Sequence, residues 1–171
     1  MLAPLALSVA VACGAWVQAA DPPHPINVAA TAERTAPDGT RWTLTLAIDV
    51  PEGLHLYAED GAGFEAASVK IRPESGAAAG RVTWPVPVDL LFALSQPVKV
   101  FEGRVEATFA LEVSPRRARE LRAGRAFALA GTLRYQACTD DACYRARDLE
   151  VVWRLSATTA AARPPSSSRR R

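Results

Sequence analysis

Alternation of apolar and polar residues dominates the middle of the chain. From Arg41 to Val50, Trp42, Leu44, Leu46, Ile48 and Val50 fall on one face, and Arg41, Thr43, Thr45, Ala47 and Asp49 on the other. A period of two marks a half-buried antiparallel strand. The same rhythm returns from Arg104 to Val113, where Val105, Ala107, Phe109, Leu111 and Val113 share a face. It returns again from Arg125 to Ala137, with Phe127, Leu129, Leu133 and Tyr135 in phase, and in the last strand through Leu149, Val151, Trp153 and Leu155.

Shorter pieces fill the gaps. Ile26 to Ala32 predicts a first strand, Leu54 to Tyr57 a short one, and Ser68 to Arg72 another. Pro37-Asp38-Gly39 and Pro51-Glu52-Gly53 are turn signals. Residues 58–65 read as a loop, and Pro73 to Gly80 as a flexible connection of small residues. Val82, Trp84 and Val86 alternate, but Pro85 and Pro87 demote them to an edge strand or an extended loop. Val98 to Phe101, a turn at Glu102-Gly103, and Arg104 to Val113 read as a hairpin. Pro115 to Gly124 has room for one helical turn, whose arginines fit a solvated connection. The pattern predicts seven to nine short strands and no long amphipathic helix. An all-β sandwich of about 130 residues follows.

The ends read differently. Residues 1–20 carry no charge and contain an apolar run followed by Val17-Gln18-Ala19, the pattern of a secretory signal peptide over residues 1–19. The run is short for a membrane span. Cleavage before Cys13, with acylation of that residue, is the alternative. Both routes lead to export, and a periplasmic location is expected. Residues 157–171 read as a disordered basic tail, which leaves a folded domain at 22–156.

Charge narrows the function. The net charge is +2, but four arginines lie in the last nine residues; without them 16 basic groups face 18 acidic ones, a net of −2. A nucleic-acid partner needs clustered positive charge and is not expected.

The candidate chemistry lies in Tyr135-Gln136-Ala137-Cys138-Thr139-Asp140-Asp141-Ala142-Cys143-Tyr144. Once Cys13 is set aside, this segment holds the remaining two cysteines. Three readings compete. A structural disulfide closing so short a loop gains about 2 kcal/mol, against about 4.7 for a 100-residue loop, a small return for a domain with its own core. A metal site is short of ligands, because zinc wants four and the only histidines are His24 and His55. Thiol–disulfide exchange needs one sulfur that a partner thiolate can reach and a second to resolve the mixed disulfide. Asp140 and Asp141 between the thiols disfavour a thiolate, while Arg145 and Arg147 oppose that.

The segment Tyr135-Gln136-Ala137-Cys138 through Cys143-Tyr144 resembles the N-terminal periplasmic domain of the DsbD family of thiol:disulfide interchange proteins. Gly53-Leu54-His55-Leu56-Tyr57 and Val100-Phe101-Glu102-Gly103-Arg104 resemble family segments in the same order. The resemblance covers about residues 25 to 155. It implies an immunoglobulin-like sandwich, although the disulfide that joins the two sheets of immunoglobulin domains is absent. It also implies a protein-disulfide reductase-like electron carrier with no cofactor beyond the Cys138–Cys143 disulfide, and no metal. Cys138 is then expected to form the mixed disulfide, with the reverse choice open. Phe101 is expected to cap the sulfurs, with Glu102 beside it and Tyr57, Tyr135 and Tyr144 around the site. Implied partners are thioredoxin-fold periplasmic proteins, including disulfide isomerases and cytochrome-maturation proteins. The sequence has no membrane-spanning run and no thioredoxin-like region, so a separate membrane electron donor and a monomeric carrier are expected. One departure stands out: Arg145-Ala146, not prolines, follow Tyr144. The different-class alternative is a non-catalytic binding sandwich with a stapled hairpin.

Overall fold

The computed structural model describes residues 25–59, 63–74, 76–91 and 97–157. The signal segment, Cys13 and the basic tail from residue 158 onward lie outside the described residues. Among these residues eleven strands and one helix form: β1 (Asn27–Arg34), β2 (Arg41–Asp49), β3 (His55–Tyr57), β4 (Ser68–Ile71), β5 (Ala77–Ala79), β6 (Val88–Leu90), β7 (Val98–Phe101), β8 (Arg104–Val113), α1 (Pro115–Arg122), β9 (Phe127–Tyr135), β10 (Ala137–Cys138) and β11 (Arg147–Leu155).

The long alternating strands build the two main layers. One sheet runs β1-β2-β8-β5 and the facing one β11-β9-β4. The apolar faces of β2, β8, β9 and β11 meet between them, with Leu44, Leu46, Ile48, Ala107, Leu133, Trp153 and Leu155 fully buried. Trp153 ties the layers together. Its ring meets Phe109 edge to face at 5.7 Å, and its indole N–H donates to the Thr45 carbonyl at 3.0 Å. A buried indole needs that partner, since an unmet donor in the core costs about 1–3 kcal/mol. Gly131 is forced by the same crowding, because a Cβ there would sit 2.9 Å from the Lys70 carbonyl and 3.0 Å from the Trp153 ring.

A third, smaller sheet runs β10-β3-β7-β6. Here the structure corrects the expected hairpin of residues 98–113. Strand β7 pairs with β3 and β6, whereas β8 pairs with β2 and β5. The chain changes sheet at Glu102-Gly103, where Gly103 takes a positive φ of 61° and its carbonyl accepts from the Val50 N–H at 2.8 Å. A glycine that permits this conformation lets the strand turn a corner instead of folding back on itself.

Two other expectations change in detail. The supposed flexible connection contains β5, which pairs with β8 through Ala77, Ala78 and Ala79. Three alanines show no alternation, so no pattern marks them. The stretch after Gly80 is an extended loop bridged at Thr83 to Thr108, with Val82 and Trp84 packed on the core, and β6 follows it. The helix is also longer than one turn. Ser114 caps it by accepting from the Arg117 N–H at 3.3 Å, Pro115 opens it, and Ala118 and Leu121 are buried.

Candidate functional site: a half-buried disulfide on the small sheet

Strand β9 runs antiparallel to β11, with Tyr135 opposite Arg147. The connection between them leaves this sheet. Ala137 and Cys138 pair instead with β3, Ala137 opposite Leu56 and Cys138 opposite His55. The chain then turns at Asp140-Asp141 and returns, so that Cys143 lies opposite Cys138. Hydrogen bonds flank this pair, from Thr139 N–H to the Ala142 carbonyl at 2.8 Å and from Tyr144 N–H to the Ala137 carbonyl at 2.9 Å. That pattern makes Cys138 and Cys143 a non-hydrogen-bonded cross-strand pair, the register in which side chains come closest. Their Cα atoms are 4.0 Å apart and the sulfurs are joined in a disulfide. The Thr139 hydroxyl accepts from the N–H groups of Asp141 and Ala142 and pins the tip.

The two cysteines differ in access. Cys138 is 0% exposed, whereas Cys143 is an exposed residue. Cys138 forms a small apolar cluster with Tyr57 and Val100, against which Phe64, Leu90 and Val98 pack. This cluster covers the outer face of the small sheet. Its inner face, carrying Leu56, Phe101 and Ala137, belongs to the main core.

That division separates the expected site residues. Phe101 is 5% exposed and stacks on Trp84 at 5.3 Å, in the main core. It follows Val100 directly, and successive strand residues point to opposite faces. Its ring is therefore on the other side of the sheet from Cys138, and this arrangement brings no Phe101 cover to the sulfurs. Tyr57 does join the site, 3% exposed and with burial pushing its phenol pKa up. Tyr135 is 1% exposed in the main core, also pushed up by burial, with Arg147 acting the other way. Tyr144 is 40% exposed beside Cys143. Glu102 is exposed at the end of β7.

Four residues complete the site beyond those expected. Phe64 stacks on Tyr57, ring centroids 4.1 Å apart, and is the aromatic that reaches the outer cluster. Its only sequence signal is an aromatic in a glycine-rich acidic loop. Gln136 braces both sides: its carbonyl accepts from Glu65 N–H at 3.0 Å, and its amide donates to the Tyr144 carbonyl at 3.1 Å. Arg134 holds the Glu65 carboxylate and also donates to Asp148, which fixes the loop that carries Phe64. His55 is 2% exposed and lies opposite Cys138, with its ring edge-on to Tyr57 at 5.5 Å. Burial lowers its pKa, while Asp140 and Glu102 raise it. Sequence spacing alone does not bring His55 to the cysteines; the β3–β10 register does.

Among the described residues no group of three or more His, Cys, Asp or Glu is arranged to hold a metal ion. No described helix is long and apolar enough to cross a membrane.

Among solved structures, the N-terminal periplasmic domain of ScsB from Proteus mirabilis is similar at a TM-score of 0.53 and 18% identity, covering 81% of this chain and 49% of that one. This chain thus spans about half the length of that domain. The reduced N-terminal domain of Neisseria meningitidis DsbD is similar at a TM-score of 0.43 and 14% identity, covering 64% of this chain and 74% of that one. No curated protein sequence matches. The fold is an all-β, immunoglobulin-like sandwich. The sequence profile for the N-terminal region of the thiol:disulfide interchange protein DsbD matches residues 23–152, most of the chain and the whole of the cysteine hairpin. The chain belongs to the DsbD N-terminal domain family of thiol:disulfide interchange proteins.

Proposed function

We propose that this domain is a periplasmic electron carrier that works by thiol–disulfide exchange at Cys138–Cys143. The observation that carries the reading is a disulfide with one exposed cysteine and one fully buried cysteine, in a chain of this family. Exchange requires in-line access to one sulfur and a second thiol to resolve the product, and burial of that second thiol directs attack to the first. Cys143 supplies the access and Cys138 the shelter, the reverse of the order that the sequence resemblance implies.

Loading takes two displacements. A donor thiolate attacks Cys143 Sγ, and the bond to Cys138 breaks. The electron pair leaves on Cys138 Sγ, which takes up a proton. The donor's second thiolate then attacks the mixed disulfide, leaving the donor oxidised and Cys143 reduced. Delivery runs the other way. The Cys143 thiolate attacks a substrate disulfide, and Cys138 resolves the mixed disulfide and releases a reduced substrate. Thioredoxin-fold proteins are the proposed acceptors and a separate membrane protein the donor.

A structural staple would also bury one cysteine in an apolar cluster, so the two readings need a direct test. The Cys138→Ser variant leaves Cys143 free to hold a mixed disulfide with no resolving thiol. Incubated with oxidised periplasmic extract, it is expected to capture thioredoxin-fold proteins in adducts that dithiothreitol releases. If neither this variant nor Cys143→Ser captures such a protein, the carrier reading fails.

A further inference from the structure

His55 is a buried titratable group that the exchange scheme leaves without a task. Its position is set by two registers. Strand β10 places it directly opposite Cys138, and Cys138 in turn lies opposite Cys143. On its other side, β3 pairs with β7 through Leu56–Phe101 and Tyr57–Val100. Glu102 is the next residue after β7, where the chain leaves this sheet, and its carboxylate acts on His55 through its charge. Directly opposed residues share a face, with Cβ atoms about 4.5–5.5 Å apart. Cys143, Cys138 and His55 thus form one row across three chain segments, with Glu102 just past the end of β7.

We propose that His55 is the proton acceptor for Cys138 in the resolving step, with Glu102 favouring the imidazolium that results. This rests on the exchange reading above and adds a residue to it. The Cys138 thiol passes its proton to the neutral imidazole. The Cys138 thiolate attacks Cys143 Sγ of the mixed disulfide, and the bond from Cys143 to the partner breaks. The electron pair leaves on the partner sulfur as a thiolate, which takes a proton from solvent.

The surroundings fit this task. A thiolate in an apolar cluster is unfavourable unless a cation forms beside it. Tyr57 and Val100 supply the apolar wall around Cys138. The groups acting on His55 are Asp140 on the cysteine hairpin, Glu102 at the end of β7 and the ring of Tyr57 on its own strand. Burial keeps the imidazole neutral at rest, ready to accept a proton but weakened as a base, and the two carboxylates offset part of that weakening.

The test uses the reduced chain and dithiobis(nitrobenzoate), an aromatic disulfide whose released thiolate is coloured. Attack by Cys143 gives a first release that depends on reagent concentration. Resolution by Cys138 gives a second that does not. In the native protein the second rate is expected to level off with rising pH in the imidazole range. In His55→Gln it is expected to fall by at least about tenfold near neutrality and to keep climbing toward the ordinary thiol range near pH ~8.5. Glu102→Gln, at an exposed position, is expected to move the levelling to lower pH. An unchanged second phase in His55→Gln overturns the inference. So does an unmoved profile in Glu102→Gln, which decides the matter even if the His55 variant does not fold. If the native protein itself shows no concentration-independent release, the exchange reading fails and this inference with it.

Discussion

Cys138 and Cys143 face each other across a hairpin with Cα atoms 4.0 Å apart, yet one is fully buried and the other exposed. The asymmetry arises because Cys138 belongs to β10 and packs under Tyr57 and Val100, while Cys143 lies on the outer arm of the hairpin. It predicts unequal thiols. In Cys138→Ser the remaining Cys143 should react with a small disulfide at least about tenfold faster than Cys138 does in Cys143→Ser, since access and thiolate character govern such rates. Stopped-flow rates of the two variants check this. Equal rates would show that burial does not set the order of attack.

Phe101 and Phe64 occupy opposite faces of the small sheet and should behave differently. Phe101→Leu is expected to cost about 1–2 kcal/mol of stability through lost packing on Trp84. Its rate of disulfide reduction by dithiothreitol should stay within about twofold of native. Phe64→Ala removes the ring that stacks on Tyr57 and should raise that rate several-fold with a smaller loss of stability. Urea unfolding and reduction kinetics on both variants decide the matter. A fast Phe101 variant beside an unchanged Phe64 variant would reverse the assignment.

Gln136 joins the Phe64 loop to the outer arm of the cysteine hairpin through two hydrogen bonds. Gln136→Ala is expected to lose about 1–2 kcal/mol, at about 1 kcal/mol per bond. Amide hydrogen exchange should quicken at Glu65, whose N–H loses its acceptor. No change in either quantity would mean that the brace is not formed in solution.

His55 gives the fold a pH dependence of known sign. Burial lowers its folded-state pKa from the ordinary 6.5. Between the two values the unfolded chain binds more protons than the folded one, so stability rises with pH across that window. The contribution is fully present above pH ~6.5 and is lost as pH falls below it, toward the folded-state pKa. Unfolding free energies measured from pH ~5.5 to ~7.5 should show this slope, and His55→Gln should flatten it. A slope that survives the substitution belongs to another group.

Much of the sandwich is legible in the sequence because its main strands are long and alternate strictly. Trp42 to Val50, Val105 to Val113 and Phe127 to Tyr135 each declare a buried face, and each is buried on that face. Legibility fades where pairing partners are distant or side chains are small. Nothing in Ala77-Ala78-Ala79 distinguishes an edge strand from a linker. Gly103 looks like the tip of a hairpin, but its positive φ serves a corner between sheets.

The site shows the same split. The spacing of Cys138 and Cys143 is local and readable, whereas the residues that shape their chemistry arrive through long-range contacts. Gln136 meets Glu65 from 71 residues away, and His55 meets Cys138 only through the β3–β10 register. The placement of Phe101 turned on a single step of strand parity. Val100 faces the sulfur cluster, so Phe101 cannot.

The most direct test of exchange at this disulfide is its reduction potential, measured by equilibrating the chain with glutathione or a thioredoxin couple of known poise. A carrier should lie between about −120 and −270 mV, the span of thiol–disulfide exchange proteins. A value far below about −300 mV would mark Cys138–Cys143 as a structural staple and contradict the account.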